Sequence, residues 1–228
     1  MSVTKIIIQI IIGFFLADII GGGSHWFEDT YLHYCTKIPI FNEIARENEM
    51  HHYFPRAMLV SSHFENIKSS IVFAFILFII IFLFFHNHMA KYPIAYICFF
   101  GLLPLTNLFH RFAHQRDCET NPVILFFQKI GFLCYHEHHR QHHVVQVDGK
   151  YCTIFPITNY VLDTILFWRG LEKIIGLFGF TYDRKQRYEY YKPIQNYMHD
   201  DAKKDCPSRP SHKNVDILFQ NLDGFIKC

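Results

Sequence analysis

The chain has 228 residues, enough for one domain and at most two small ones. Half of the residues are hydrophobic, 18% are aromatic and 18% are charged, which excludes a mainly disordered chain or a collagen-like repeat. A net charge of only +2 excludes a strongly basic nucleic-acid binder, and long apolar runs beside 16 His point to a membrane protein that handles metal.

The N-terminal run IIIQIIIGFFLADIIGGG has no small-residue cleavage site after it and leads straight into SHWFEDT. It is read as a retained membrane helix over residues 4–24. Asp18 lies in its second half and is expected to face protein or water, because a carboxylate is costly in lipid. Residues 25–68 are polar. Residues 69–85 and 92–109 are uncharged and are read as two spans of a transmembrane hairpin, joined by HNHMAK. Pro104 is expected to kink the second span. Residues 122–135 are apolar but short, so an interfacial helix is expected there. Residues 151–180 are mixed and leave room for one further span or for re-entrant or surface helices. The sequence thus predicts an all-α integral membrane protein of about three to five transmembrane or re-entrant helices. Its domain runs over residues 1–180 and is followed by a polar tail, 181–228, expected to be soluble and partly disordered.

Parity puts residues 25–68 and 110–150 on one side of the membrane. That side carries Lys37, Arg46, Arg56, Lys68, Arg111, Arg116, Lys129, Arg140 and Lys150, against Lys5 and Lys91 opposite. The positive-inside rule makes the His-rich side cytosolic. The seven Cys are odd in number, scattered and without a C-x-x-C pair, which argues against a zinc ribbon or a disulfide framework. They are expected to be apolar fillers or cytosolic thiols.

The His residues follow helical arithmetic. His110 and His114 are i, i+4, and His139, His142 and His143 are i, i+3 and i+4, so each set shares one helix face. His51 and His52 are adjacent, and His25 lies four residues before Asp29. Eight imidazoles fit two metal ions better than one four-coordinate ion. Two irons held in this way at a membrane surface activate dioxygen for attack on an unactivated C–H bond, which no side chain does alone. No H-E-x-x-H zinc-protease motif is present. Asp29 is expected to orient a His rather than to ligate. His63, His136 and His138 are even bets as ligands or supports, while His33, His86, His88, His199 and His212 are read as ordinary surface residues. The uncharged hairpin offers no ionisable path, which disfavours a metal transporter.

ADIIGGGSHWFEDT, HHYFP, NLFHRFAH, HHRQHH with the following YC, and NYVLD together resemble the Kua-type membrane lipid desaturases over about residues 17–176. That family includes the animal plasmanylethanolamine desaturases and the plant chloroplast phosphatidylglycerol desaturases. The resemblance implies a non-haem di-iron centre on His25, His51, His52, His110, His114, His139, His142 and His143, with O2 as co-substrate. It implies a membrane phospholipid substrate, a cytochrome b5-type electron donor and an endoplasmic reticulum location. FWRGLE, residues 167–172, is more like the animal branch and tilts the expectation toward vinyl-ether formation in an ether phospholipid. Desaturation or hydroxylation of another glycerolipid chain is the alternative. Gln146 stands where the family usually has Pro, and the segment between His52 and Phe64 is about one residue longer than expected.

Overall fold

The structure is a computed structural model that describes residues 1–144, 148–181, 211–213, 216–217 and 220. Gln146, His199 and nearly all of the expected polar tail lie outside the described residues. The described part is helical throughout: α1 (Val3–Tyr31), α2 (Pro39–Tyr53), α3 (His63–Lys91), α4 (Pro93–Leu102), α5 (Thr106–Ala113), α6 (Pro122–Lys129), α7 (His136–Val144), α8 (Pro156–Thr164) and α9 (Phe167–Gly176). Short 3-10 turns at Ala57–Leu59 and Leu103–Leu105 complete it.

Among the described residues, three segments are long and apolar enough to cross a membrane: α1, α3, and α4 with α5 as one run, Pro93–Ala113. Helix α1 has 29 residues. At the helical rise it spans roughly 44 Å against a hydrocarbon core of about 30 Å. It therefore outlasts the lipid, and its last turns carry His25 and Asp29. The sequence reading ended this helix at residue 24 because SHWFEDT is polar. The helix continues because those polar groups are satisfied inside the protein, as described below. The hairpin link is corrected in the same way. HNHMAK is not a loop but the end of α3, which starts at a Ser62–Glu65 capping box and bends at Phe85. The chain reverses at Tyr92, just ahead of Pro93. Pro104 sits in the 3-10 turn between α4 and α5, where its missing N–H breaks the regular ladder.

Residues 151–180 hold no further span. Helices α8 and α9 have 9 and 10 residues, about half of what a span requires. Helix α6 is short, as expected, and leaves Val123 and Phe126 exposed.

Helix α1 is the spine, and its small residues explain why. A Cβ on Gly13 would stand 2.4 Å from the Ala95 carbonyl oxygen of α4, and one on Gly22 would stand 2.7 Å from Cys152 Sγ. Only glycine permits these crossings. Between them, Asp18 is fully buried and accepts backbone N–H bonds from Ile154 (3.0 Å) and Phe155 (3.1 Å) at the head of α8. The intramembrane carboxylate thus faces protein, as the sequence reading required, and ties α8 to α1. Ala17, Ala74, Phe99 and Leu103 fill the space among α1, α3 and α4.

The cysteine expectation needs one correction. Cys98, Cys134 and Cys152 are free thiols, but Cys35 and Cys118 are disulfide-bonded. Both lie in loops at the His-rich end, after α1 and after α5.

Candidate metal centre

Four elements bring the imidazoles together: the end of α1, the end of α2, α5 with the residue after it, and α7. Each helix contributes one face, so the i, i+4 spacing becomes a set of converging rings. All eight His picked from spacing lie in one buried cluster.

Within it, two groups of four donors stand out, each with its donor atoms within 4.8 Å of one another. The first is His51, His110, His114 and His143. The second is His25, Asp29, His52 and His142. His114 Nε2 lies 3.1 Å from His110 Nε2 and 3.1 Å from His139 Nε2, and His139 Nε2 lies 3.1 Å from His143 Nε2. His139 therefore adjoins the first group. Neighbouring nitrogens bound to one ion at about 2.1 Å stand roughly 3 Å apart, so this spacing fits a shared metal. The buried Nε2 of His51 has no hydrogen-bond partner, as suits an atom reserved for a ligand bond.

The far nitrogens fix which lone pair points inward. His25 Nδ1 donates to the Tyr151 carbonyl at 3.0 Å, and His142 Nδ1 donates to the Gly149 carbonyl at 2.7 Å. Each proton placed there leaves Nε2 as a lone pair directed at the cluster. Burial holds His51, His114, His139 and His143 well below the usual imidazole range. They are neutral at physiological pH, the form that binds metal.

Asp29, expected to orient a His, meets three rings of the second group. Its carboxylate does not sit behind the rings but among their Nε2 atoms: 2.7 Å from His52, 3.1 Å from His142 and 3.5 Å from His25. Asn48 donates to it at 2.9 Å, so Asn48 does the orienting. Imidazoles with one carboxylate suit iron, zinc or copper.

His63, His136 and His138 join neither group. His63 is exposed at the start of α3. His138 Nε2 accepts from Asn159 at 3.1 Å, outside the cluster. His136 is half-buried, and burial with nearby Arg116 lowers its pKa to about 4. His33, His86, His88 and His212 are exposed and remote from the cluster.

Several positioning residues escaped the sequence reading. Arg111 is buried, and its guanidinium donates to the carbonyls of Met58 (2.8 Å), Ser61 (2.6 Å) and Leu59 (2.9 Å). This clamps the α2–α3 connection to α5, beside His110. Arg56 and Glu119 form a two-pronged pair at 2.8 and 2.9 Å that ties the same connection to the loop after His114. Tyr151 packs against His25 and His142, and Trp168 packs behind Tyr151 with ring centroids 5.2 Å apart. These rings wall off the cluster. Asn48 alone was within reach of the sequence, since it lies four residues before His52 and so shares its face.

A lipid desaturase domain family model matches residues 14–184. Among curated proteins, a probable fatty acid desaturase of Acanthamoeba polyphaga mimivirus is 29% identical over 80% of this chain and 88% of its own length. A chloroplastic fatty acid desaturase 4-like protein of Arabidopsis thaliana is 25% identical over 72% of this chain and 57% of its own. Plasmanylethanolamine desaturase 1 of Mus musculus is 26% identical over 76% of this chain and 66% of its own. The chain thus spans nearly all of the viral relative but only part of the plant and animal ones. No solved structure matches. With three quarters of its length under the family model and its buried imidazoles gathered at the end of three apolar helices, the chain belongs to the lipid desaturase family, whose members are membrane oxidoreductases.

Proposed function

We propose that the chain is a non-haem di-iron, O2-dependent desaturase that forms the vinyl ether bond of an ether phospholipid, as a plasmanylethanolamine desaturase does. The observation that carries this reading is the pair of abutting four-donor groups, the second of which sets one carboxylate among its imidazoles. The proposed ligands are His51, His110, His114, His139 and His143 for one ion and His25, Asp29, His52 and His142 for the other. When bound, two irons supply dioxygen activation and hydrogen abstraction, with two electrons delivered from outside.

The chain's own residues hold the centre ready for that chemistry. Backbone carbonyls of Tyr151 and Gly149 keep the Nδ1 protons of His25 and His142 pointed outward. Asn48 keeps the Asp29 carboxylate turned to the rings. Tyr151 and Trp168 exclude water on one side, which protects a strong oxidant from wasteful quenching. The excess of basic residues at the His-rich end supports a cytosolic orientation and docking of a cytochrome b5-type donor there, in the endoplasmic reticulum.

Desaturation or hydroxylation of another glycerolipid acyl chain is the second reading. It is favoured by the viral and plant relatives, which carry the name fatty acid desaturase. One experiment separates them. The chain is expressed in cells that make alkyl ether lipids but lack their own plasmalogen-forming desaturase, and ether phospholipids are measured by mass spectrometry before and after mild acid. Acid-labile species lighter than the precursor by two hydrogens are expected. An acid-stable loss of two hydrogens, or a gain of one oxygen, would replace the first reading with the second.

A further inference from the structure

Beside the metal cluster lies a cavity of about 320 Å³ whose lining differs in character from the imidazole site. It carries two cations, Lys150 and Arg169, and two carboxylates, Asp148 and Asp163. Arg169 is held by the Glu172 carboxylate at 2.8 Å, by the Asp148 carbonyl at 3.0 Å and by the Asp148 carboxylate at 3.5 Å. The Lys150 ammonium meets the neutral amide oxygen of Gln141 instead of a carboxylate. Asp163 accepts the Lys150 backbone N–H at 3.2 Å. Burial holds its carboxyl above the ordinary carboxylate range, a shift that pairing with an incoming cation would offset.

The backbone around this cavity is strained. Among the described residues, the two non-glycine residues with positive φ are Lys150 (60°) and Leu166 (55°), and both line it. Such conformations are costly and gather where a ligand is gripped. Gly149 is equally constrained, since a Cβ there would stand 3.1 Å from both Asp163 carboxylate oxygens.

The cavity also shares a wall with the metal centre. Gly149 accepts from His142, Tyr151 accepts from His25, and Trp168 lies between the cavity and Tyr151. Leu166 in the cavity lining is 65% exposed, and Ile165, Ile174 and Leu177 of the flanking segment are 63%, 55% and 85% exposed. Trp168 on α9 is buried. A short amphipathic helix of this kind lies in the membrane interface, which sets the cavity at headgroup depth.

We propose that this cavity is the headgroup subsite for a zwitterionic phosphoethanolamine lipid, with phosphate against Lys150 and Arg169 and the primary ammonium against Asp163. This rests on the reading of the chain as a phospholipid desaturase and deepens it. In an ether lipid, only the glycerol separates the phosphate from the carbon next to the ether oxygen. A headgroup anchored one wall away from the imidazoles therefore delivers that carbon, rather than mid-chain carbons, to the metals. A primary ammonium donates hydrogen bonds to Asp163, whereas the trimethylammonium of a choline lipid has none to give.

The test measures binding and does not depend on turnover. Full-length protein in detergent is mixed with dimyristoyl phosphatidylethanolamine or dimyristoyl phosphatidylcholine, and retained lipid is counted by native mass spectrometry. Retention of the ethanolamine lipid over the choline lipid by about tenfold is expected, the effect of one charge-assisted hydrogen bond. Asp163→Asn should erase that preference, and Lys150→Met should weaken both lipids alike, each with wild-type iron content. Equal retention of the two lipids by the wild type, or a preference that survives both substitutions, would overturn the subsite. Lys150 is partly exposed, so Lys150→Met remains informative if Asp163→Asn does not fold. Selective binding without any lipid desaturation would sink the desaturase reading and leave the subsite standing. Desaturation without headgroup selectivity would do the reverse.

Discussion

Asp29 near the end of α1 and His142 on α7 meet at 3.1 Å, carboxylate oxygen to Nε2, with both side chains fully buried. The contact joins residues far apart in the chain and places the one acid of the cluster between imidazoles from three helices. Asp29→Asn keeps the shape and removes the charge. Iron content should fall from two per chain toward one, because the group formed by His25, His52 and His142 loses its anionic donor. Metal analysis of the purified variant checks this. Undiminished iron would return Asp29 to a purely orienting role.

His110→Ala and His142→Ala should each lower desaturase activity by at least about a hundredfold, more than is typical of losing an outer partner of a ligand. Both proteins should still insert in the membrane, since replacing either ring by Ala leaves the three long apolar runs intact. His138→Ala is the contrast. Its ring bonds Asn159, which in turn holds the Cys152 backbone at 2.9 and 2.7 Å. That variant should keep its iron and lose thermal stability instead.

Three positions on α1 test the packing. Asp18→Ala leaves the buried N–H groups of Ile154 and Phe155 without their acceptor and should cost about 3 kcal/mol. Gly22→Val should also destabilise, by roughly 1–3 kcal/mol of overpacking against Cys152. Gly23→Ala should be neutral or stabilising by up to about 1 kcal/mol, since nothing lies within 4 Å of a Cβ there. Thermal unfolding of the three variants in detergent orders them.

Charge and disulfide chemistry make opposite demands on the His-rich end. The positive-inside rule assigns it to the cytosol, while disulfide bonds at Cys35 and Cys118 favour an oxidising compartment. Lys129 is well exposed at this end, with its side chain 63% accessible. Lys129→Cys should be labelled by a membrane-impermeant maleimide added outside sealed microsomes. Protection until the vesicles are opened would invert the topology and place the metal centre in the lumen.

Much of the site was legible because imidazoles at i, i+3 and i+4 must share a helix face, and parity put all the His-rich loops on one side. The three spans were legible as long apolar runs, but their ends were not. Apolar runs mark only what lies in lipid, so the polar last turns of α1 and the HNHMAK end of α3 read as loops. Asp29 read as a support because spacing places it near His25 but cannot say which side of the ring it meets. The carbonyls of Gly149 and Tyr151 left no trace, because a backbone acceptor has no residue signature. Arg111 entered the sequence reading only as one basic residue of the His-rich side, and the fold shows it buried against three carbonyls. Nothing in the spacing of the seven cysteines set Cys35 and Cys118 apart from the other five.

The most direct test is the metal content of full-length protein purified from iron-replete cells, measured together with its Mössbauer spectrum. About two irons per chain in an oxygen- and nitrogen-rich environment are expected, with loss of both iron and activity in His110→Ala. A single ion per chain, or zinc in place of iron with desaturase activity intact, would contradict the two-iron centre.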